Sequence, residues 1–65
     1  MLKVVLADDE NKIILLLQKL IDWKQLGYEI VGTANDGLRA LELVGQQQPH
    51  LLITDVQMPR GSGNE

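Results

Sequence analysis

Acidic side chains follow two short apolar segments, and they are the residues whose types and spacing could support chemistry. Asp8, Asp9 and Glu10 follow the first segment, and Asp55 follows the last. Each acid alone is explained more simply by helix capping or by solvation of a loop. If the two segments are neighbours, carboxylates about 4 Å apart repel by ~4 kcal/mol at an effective dielectric constant of about 20. Either protonation of one acid or a bound cation would relieve this repulsion, and Mg²⁺ suits such oxygen ligands best.

The composition excludes several other kinds of site. The 65 residues contain no Cys and one His, which excludes a disulfide framework and a structural zinc site. The formal net charge of -3 disfavours a nucleic-acid or anionic-membrane surface. No apolar segment approaches the ~20 residues of a membrane-spanning helix, so we expect a soluble, intracellular chain. The single His50 has no second His or Cys to share a metal with, and we expect it in a loop or at a strand start.

Three apolar segments that would position these acids predict β-strands. They cover residues 3–7, 28–34 and 51–54. The first and third are apolar on both faces, which is typical of buried strands in a parallel sheet.

Two segments with helical periodicity separate the strands. For the first helix, residues 11–21, the spacing predicts a core-facing stripe of Ile13, Leu16, Leu17, Leu20 and Ile21. Ile14 falls at the edge of that stripe and Leu15 among the polar residues. The second helix, residues 37–47, has a predicted core face of Ala40, Leu41 and Val44. Asn35-Asp36-Gly37 supplies its turn and N-cap, and Trp23 is expected to pack under the end of the first helix.

The order of elements, β-α-β-α-β with short connections, predicts an α/β fold with a parallel sheet and right-handed crossovers. In open parallel sheets, ligands bind beyond the carboxyl ends of the strands. Asp8, Asp9 and Asp55 would then meet at one edge of the sheet.

Three motifs in this order resemble the receiver domain of two-component response regulators. They are Asp8-Asp9-Glu10 after a strand, Asn35-Asp36-Gly37 opening a helix that contains Ala40-Leu41, and the segment Thr54-Asp55-Val56-Gln57-Met58-Pro59. In addition, Ile21-Asp22-Trp23 and Leu26-Gly27 resemble receivers of regulators with an AraC-type helix-turn-helix output.

The resemblance implies a flavodoxin-like fold with strand order 2-1-3 and a signalling module rather than an enzyme. It implies that Asp55 accepts a phosphoryl group from a sensor histidine kinase in the cytoplasm. Asp9 would bind Mg²⁺ directly and Asp8 mostly through a water, while Asp55 and the backbone carbonyl of Gln57 complete the ligands. It implies no contact of this segment with nucleic acid or membrane.

The resemblance covers residues 1–60, which correspond to the first half of the family's domain, so we expect a fragment without output signalling of its own. Residues 61–65 are expected to be a flexible tail, either a natural variant of a family loop or artificial. A second hypothesis is that the chain is a self-associating structural fragment, a homodimer or larger assembly. The interface candidates for this hypothesis are Ile14, Leu15, Leu51, Leu52 and Ile53.

Overall fold

The central strand of the sheet, β1, carries the most deeply buried residues of the structure. The computed structural model describes residues 1–54, in the order β1 (Leu2–Ala7), α1 (Asn11–Leu20), β2 (Tyr28–Ala34), α2 (Gly37–Gln47) and β3 (Leu51–Thr54). The strands are parallel and lie in the order β2-β1-β3. The predicted α/β class and the strand order are therefore confirmed.

β1 is buried because both of its faces are covered. The side chains of Val4, Val5 and Leu6 are fully buried. Since successive side chains of a strand point to opposite faces, Val5 faces α2, while Val4 and Leu6 face α1. A strand with apolar residues on both faces fits this position, because it has no solvent side.

The α2 face of the sheet is built mainly from small residues. Its buried cluster contains Val5, Ala7, Ala34, Ala40 and Leu43. The core face predicted for α2 is therefore only partly right. Ala40 is buried as predicted, but Leu41 is 69% exposed and Leu43 takes its place in the core. Val44 is half-buried.

A β-bulge in β2 creates the space that Leu43 fills. Val4 pairs with Ile30 but Val5 pairs with Gly32, so Val31 is an extra residue on β2. The bulge reverses the alternation of β2, so that Val31 and Gly32 both face α2. A Cβ atom at Gly32 would lie 2.9 Å from Cδ2 of Leu43, which means that the close approach of α2 depends on this glycine.

The α1 face uses larger side chains. Val4, Leu6, Ile14 and Trp23 are buried there, and partly buried Leu17, Ile21, Tyr28, Ile30 and Ile53 pack against them. Trp23 lies under the end of α1, as predicted. Its indole Nε1 donates a hydrogen bond to the carbonyl of Leu17 (3.1 Å), and its ring meets that of Tyr28 edge-on at 6.4 Å.

The stripe predicted for α1 is only partly right, because Leu17 and Ile21 pack against the core as predicted but the other three members are exposed. Ile14 is 5% exposed, whereas the predicted core residues Ile13, Leu16 and Leu20 are 36%, 49% and 77% exposed. The choice of Ile14 as an interface candidate is therefore wrong, because its side chain belongs to the core. Leu15, at 57% exposed, does lie on the surface.

The start of β3 is fixed to the start of β1. The backbone N–H of Lys3 donates to Nδ1 of His50 (3.0 Å), and the N–H of His50 donates to the carbonyl of Lys3 (2.9 Å). The predicted position of His50 just before a strand is thus confirmed. Neither of the helices in residues 1–54 is long and apolar enough to cross a membrane.

Candidate functional site

The carboxyl ends of the three strands lie side by side. Ala7, the last residue of β1, pairs with Ala34 at the end of β2 and with Thr54 at the end of β3. The segments that leave β1 and β2 therefore start from adjacent points, and Thr54 is the last residue that the structure describes. This edge of the sheet is where the acidic residues were predicted to meet.

Asp8 is held in place at this edge by its backbone and its side chain. Its N–H donates to the carbonyl of Ala34 (3.0 Å), which extends the β1–β2 contact by one residue. Its carboxylate Oδ1 accepts a hydrogen bond from the N–H of Glu10 (2.9 Å). Asp8 is half-buried, and a carboxylate keeps further lone pairs after accepting one hydrogen bond. The carboxylate therefore has a defined position and can still serve a cation.

Asp9 and Glu10 are exposed at the start of α1. Glu10 is the N-cap residue, with extended backbone, but its side chain does not cap the helix. Its carbonyl accepts from the N–H groups of Ile13 (3.1 Å) and Ile14 (3.4 Å), which sets the direction of the first turn. Both carboxylates are consequently open to solvent at the same loop as Asp8.

The loop between β2 and α2 faces the acidic loop. Asp36 is the N-cap of α2, and its Oδ1 accepts a hydrogen bond from the N–H of Arg39 (2.9 Å), as the turn motif predicted. The preceding residue, Asn35, donates from Nδ2 to Oδ1 of Asn11, the first residue of α1. Sequence reasoning missed this pair. The signal in the sequence that points to it is weak: Asn35 directly follows one strand, and Asn11 lies four residues beyond the end of its neighbour.

The predicted metal ligands are only partly within residues 1–54. Asp8 and Asp9 lie at the expected edge, while Asp55 and Gln57 are outside the described residues. Within the described part, no three acidic or histidine side chains group together in a way that could hold a metal ion. The carboxylate oxygens of Asp8 and Asp9 are nevertheless the hard ligands that Mg²⁺ prefers, so the donor chemistry fits.

Comparison with known proteins gives one family and a consistent set of relatives. The family model described as response regulator receiver domain matches residues 4–65. An uncharacterized response regulatory protein of Staphylococcus epidermidis is 48% identical over 97% of this chain and 25% of its own length. The transcriptional regulatory protein HptR of Staphylococcus aureus is 46% identical over the same shares.

A solved structure also matches closely. The REC domain of AraT, a response regulator from Geobacillus stearothermophilus, superposes with a TM-score of 0.87 at 39% identity. The match covers 92% of this chain and 48% of that domain. The chain therefore spans about a quarter of the length of the curated relatives and about half of this solved domain.

Proposed function

The chain belongs to the response regulator receiver domain family, and from that premise we propose that Asp55 accepts a phosphoryl group from a sensor histidine kinase. The observation that carries the proposal is the shared carboxyl edge of the sheet. Ala7 and Thr54 pair directly across β1 and β3, and Asp8 and Asp55 are the residues that follow them in the sequence. The pairing of these two strand ends supports the proposal that the acids the reaction needs lie close together.

In the proposed reaction, a carboxylate oxygen of Asp55 attacks the phosphorus of a phosphohistidine. The P–O bond to Asp55 forms as the P–N bond breaks, and the imidazole leaves with the electron pair and takes up a proton. The product is an acyl phosphate. The chain acts as the acceptor in this transfer rather than as an enzyme that turns over, and the transfer takes place in the cytoplasm.

Asp8, Asp9, Asp55 and the carbonyl of Gln57 would hold Mg²⁺. When bound, the ion would offset the repulsion between the anionic carboxylate and the anionic phosphoryl group. Among residues 1–54, two hydrogen bonds hold Asp8 in position for this role. The bond from the Asp8 N–H to Ala34 and the bond from Glu10 to the Asp8 carboxylate fix the first ligand before any cation binds.

The longer proteins to which this chain is similar include a transcriptional regulator, HptR. We accordingly propose that phosphorylation at Asp55 regulates transcription through a separate output domain of AraC type. On this proposal the DNA contacts belong to the output domain, and the receiver segment binds neither nucleic acid nor membrane.

The test is intact-mass spectrometry of the chain after incubation with a small phosphodonor and Mg²⁺. We expect a mass gain of one phosphoryl group that is lost in Asp55→Asn and reduced in Asp9→Asn. Asp22→Asn is the matched control, because Asp22 is an exposed acid in the turn after α1 and its carboxylate accepts, among residues 1–54, a hydrogen bond from the Gln25 N–H alone. A gain that persists in Asp55→Asn, or that is lost equally in Asp22→Asn, would overturn the assignment.

A second candidate function is self-association, and exposed aliphatic side chains favour it. β3 pairs with β1 on one side only within residues 1–54, and its Leu51 and Leu52 are 36% and 40% exposed. Leu15 is exposed as well, while Ile53 is partly buried against the α1 face. An edge strand with apolar side chains is a template for pairing with a second copy.

Sedimentation equilibrium tests this second candidate. We expect the chain to form dimers or larger assemblies and Leu52→Lys to shift it toward monomer. Leu26→Lys is the control, since Leu26 is 62% exposed in a loop away from the strand edge. A folded monomer at high micromolar concentration would exclude self-association, and an equal shift in both variants would exclude the β3 edge as its site.

A further inference from the structure

We propose that Asn11 and Asn35 are positioning residues, and that their side-chain hydrogen bond holds the acidic loop in the geometry that binds the divalent cation. The inference rests on the proposed function, because it concerns the same acidic edge. It goes beyond the proposed function by assigning a role to two residues, Asn11 and Asn35, that do not themselves bind the cation.

The argument begins with how the acidic loop is attached. The loop consists of Asp8, Asp9 and Glu10, and each of its ends is hydrogen-bonded to the segment that leaves β2. At one end the Asp8 N–H donates to the Ala34 carbonyl (3.0 Å). At the other end Asn11, the residue after Glu10, accepts from Asn35. The two anchor points are consecutive residues, Ala34 at the end of β2 and Asn35 just after it, so two adjacent tethers hold the ends of the acidic loop.

The second tether is not needed to hold the fold together. Asn11 and Asn35 are both exposed, so their contact buries little surface. α2 has its own N-cap in Asp36, and α1 is packed on the sheet through Ile14. What the Asn11–Asn35 bond does fix is the distance between the start of α1 and the end of β2. Asp9, the exposed acid between the tethers, is the residue whose position depends on that distance.

Cation binding is sensitive to such a restraint. Mg²⁺ requires near-ideal octahedral geometry at about 2.0–2.1 Å from its ligands. Outer groups that orient ligands typically change metal affinity by ~10–100-fold when they are removed. Loss of the tether should therefore appear in cation affinity before it appears in the free energy of unfolding.

The experiment is a calorimetric titration of the 65-residue chain with Mg²⁺, run on the parent, Asn11→Ala, Asn35→Ala and the double variant. We expect each single variant to weaken binding roughly 10-fold. The double variant should be no weaker than either single variant, because both substitutions break the same bond.

Two controls separate positioning from general destabilisation. Gly32→Ala overpacks the contact with Leu43 in the α2 core, so it destabilises the chain but should leave the Mg²⁺ affinity unchanged. Gln18→Ala removes an exposed amide from the same helix as Asn11 and should do the same. Circular dichroism on each sample confirms that the variant is folded at the titration temperature.

The outcomes separate this inference from the function on which it rests. A parent chain that binds no Mg²⁺ overturns both. A parent that binds, with unchanged affinity in Asn11→Ala and Asn35→Ala, overturns the tether alone. Additive losses in the double variant also overturn it, because they would mean that the two side chains act separately.

Discussion

The two faces of the sheet differ in the size of the side chains that pack on them. The α2 face contains a glycine and three alanines and is completed by one large side chain, Leu43. The α1 face is filled by branched and aromatic side chains and is closed by Trp23. On the first face the helix is held close and there is no room for an added atom. On the second, a few large side chains account for most of the contact.

This difference predicts that the two faces respond to opposite kinds of substitution. Removing atoms should cost most on the α1 face, because a large side chain leaves a large cavity. Adding atoms should cost most on the α2 face, because a close-packed core without space must shift to accept them.

The largest effect is expected for Trp23→Ala. Truncation of a buried Trp typically costs ~3–5 kcal/mol, and a small domain has only about 5–15 kcal/mol in total. The variant also loses the hydrogen bond to Leu17 and the edge-on contact with Tyr28. Urea unfolding followed by circular dichroism measures the loss.

Leu20→Ala is the control for this prediction. Leu20 is 77% exposed at the end of α1, the helix under which Trp23 packs, and its truncation should change the free energy of unfolding by no more than about 0.5 kcal/mol. If the two variants lose similar amounts, the α1 core is not organised around Trp23.

A smaller effect of the opposite kind is expected for Gly32→Ala. The new Cβ would lie 2.9 Å and 3.0 Å from the two Cδ atoms of Leu43. Overpacking of this sort costs ~1–3 kcal/mol. In a Leu43→Ala background the conflicting atoms are gone, so the same substitution should cost almost nothing. A double-mutant cycle in urea gives the coupling between the two positions.

Gly45→Ala controls for the general effect of replacing a glycine. Gly45 lies inside α2 and a Cβ there meets nothing within 4 Å. We expect it to stabilise the chain by ~0.5–1 kcal/mol, because alanine favours a helix interior. A loss of stability at Gly45, or none at Gly32, would contradict the contrast between open and closed positions.

The sequence predicted the elements better than it predicted their faces. The predicted bounds of β2, α2 and β3 are the observed ones, while β1 starts one residue earlier and α1 ends one residue earlier than expected. Boundaries follow from turn residues and the N-cap Asp36, which act locally.

The buried faces depend on what packs against them. In α1 the consecutive aliphatic residues contain two stripes with the same spacing, Ile13-Leu16-Leu20 and Ile14-Leu17-Ile21, offset by about 100° around the axis. Periodicity alone cannot choose between two equal stripes. The sheet buries the second, since Ile14, Leu17 and Ile21 pack with Trp23 beneath the helix.

A similar ambiguity explains why the predicted core face of α2 was only partly right. Leu41 and Leu43 are both candidates by type, and the bulge at Val31 decides for Leu43 by bringing Gly32 to face the helix. In the strand pattern, the isolated Gly32 is a signal for a bulge or a close approach, but it does not indicate which residue of α2 fills the space. Asp8 and Asp9 follow the end of β1 as predicted, because strand ends can be read from the sequence, while their role as metal ligands stays a prediction. The Asn11–Asn35 contact joins residues 24 positions apart and requires the register of the sheet.

The smallest effects are expected at the N-termini of the two helices. These also differ between the two faces, because α2 has a side-chain cap and α1 has none. α2 is capped by Asp36, and Asp36→Ala should cost about 1 kcal/mol by leaving the Arg39 N–H without its acceptor. α1 begins at Glu10, which has the extended backbone of a cap residue but supplies no side-chain cap. Glu10→Ser should therefore raise the free energy of unfolding, by at most about 1 kcal/mol.

Because Glu10→Ser also removes a charge beside Asp8 and Asp9, Glu10→Gln provides the matched comparison. Glutamine removes the charge without placing a short hydroxyl at the cap. A gain in thermal stability that is larger for serine than for glutamine would show that α1 lacked a cap, whereas equal gains would show that charge repulsion in the acidic loop was the cost.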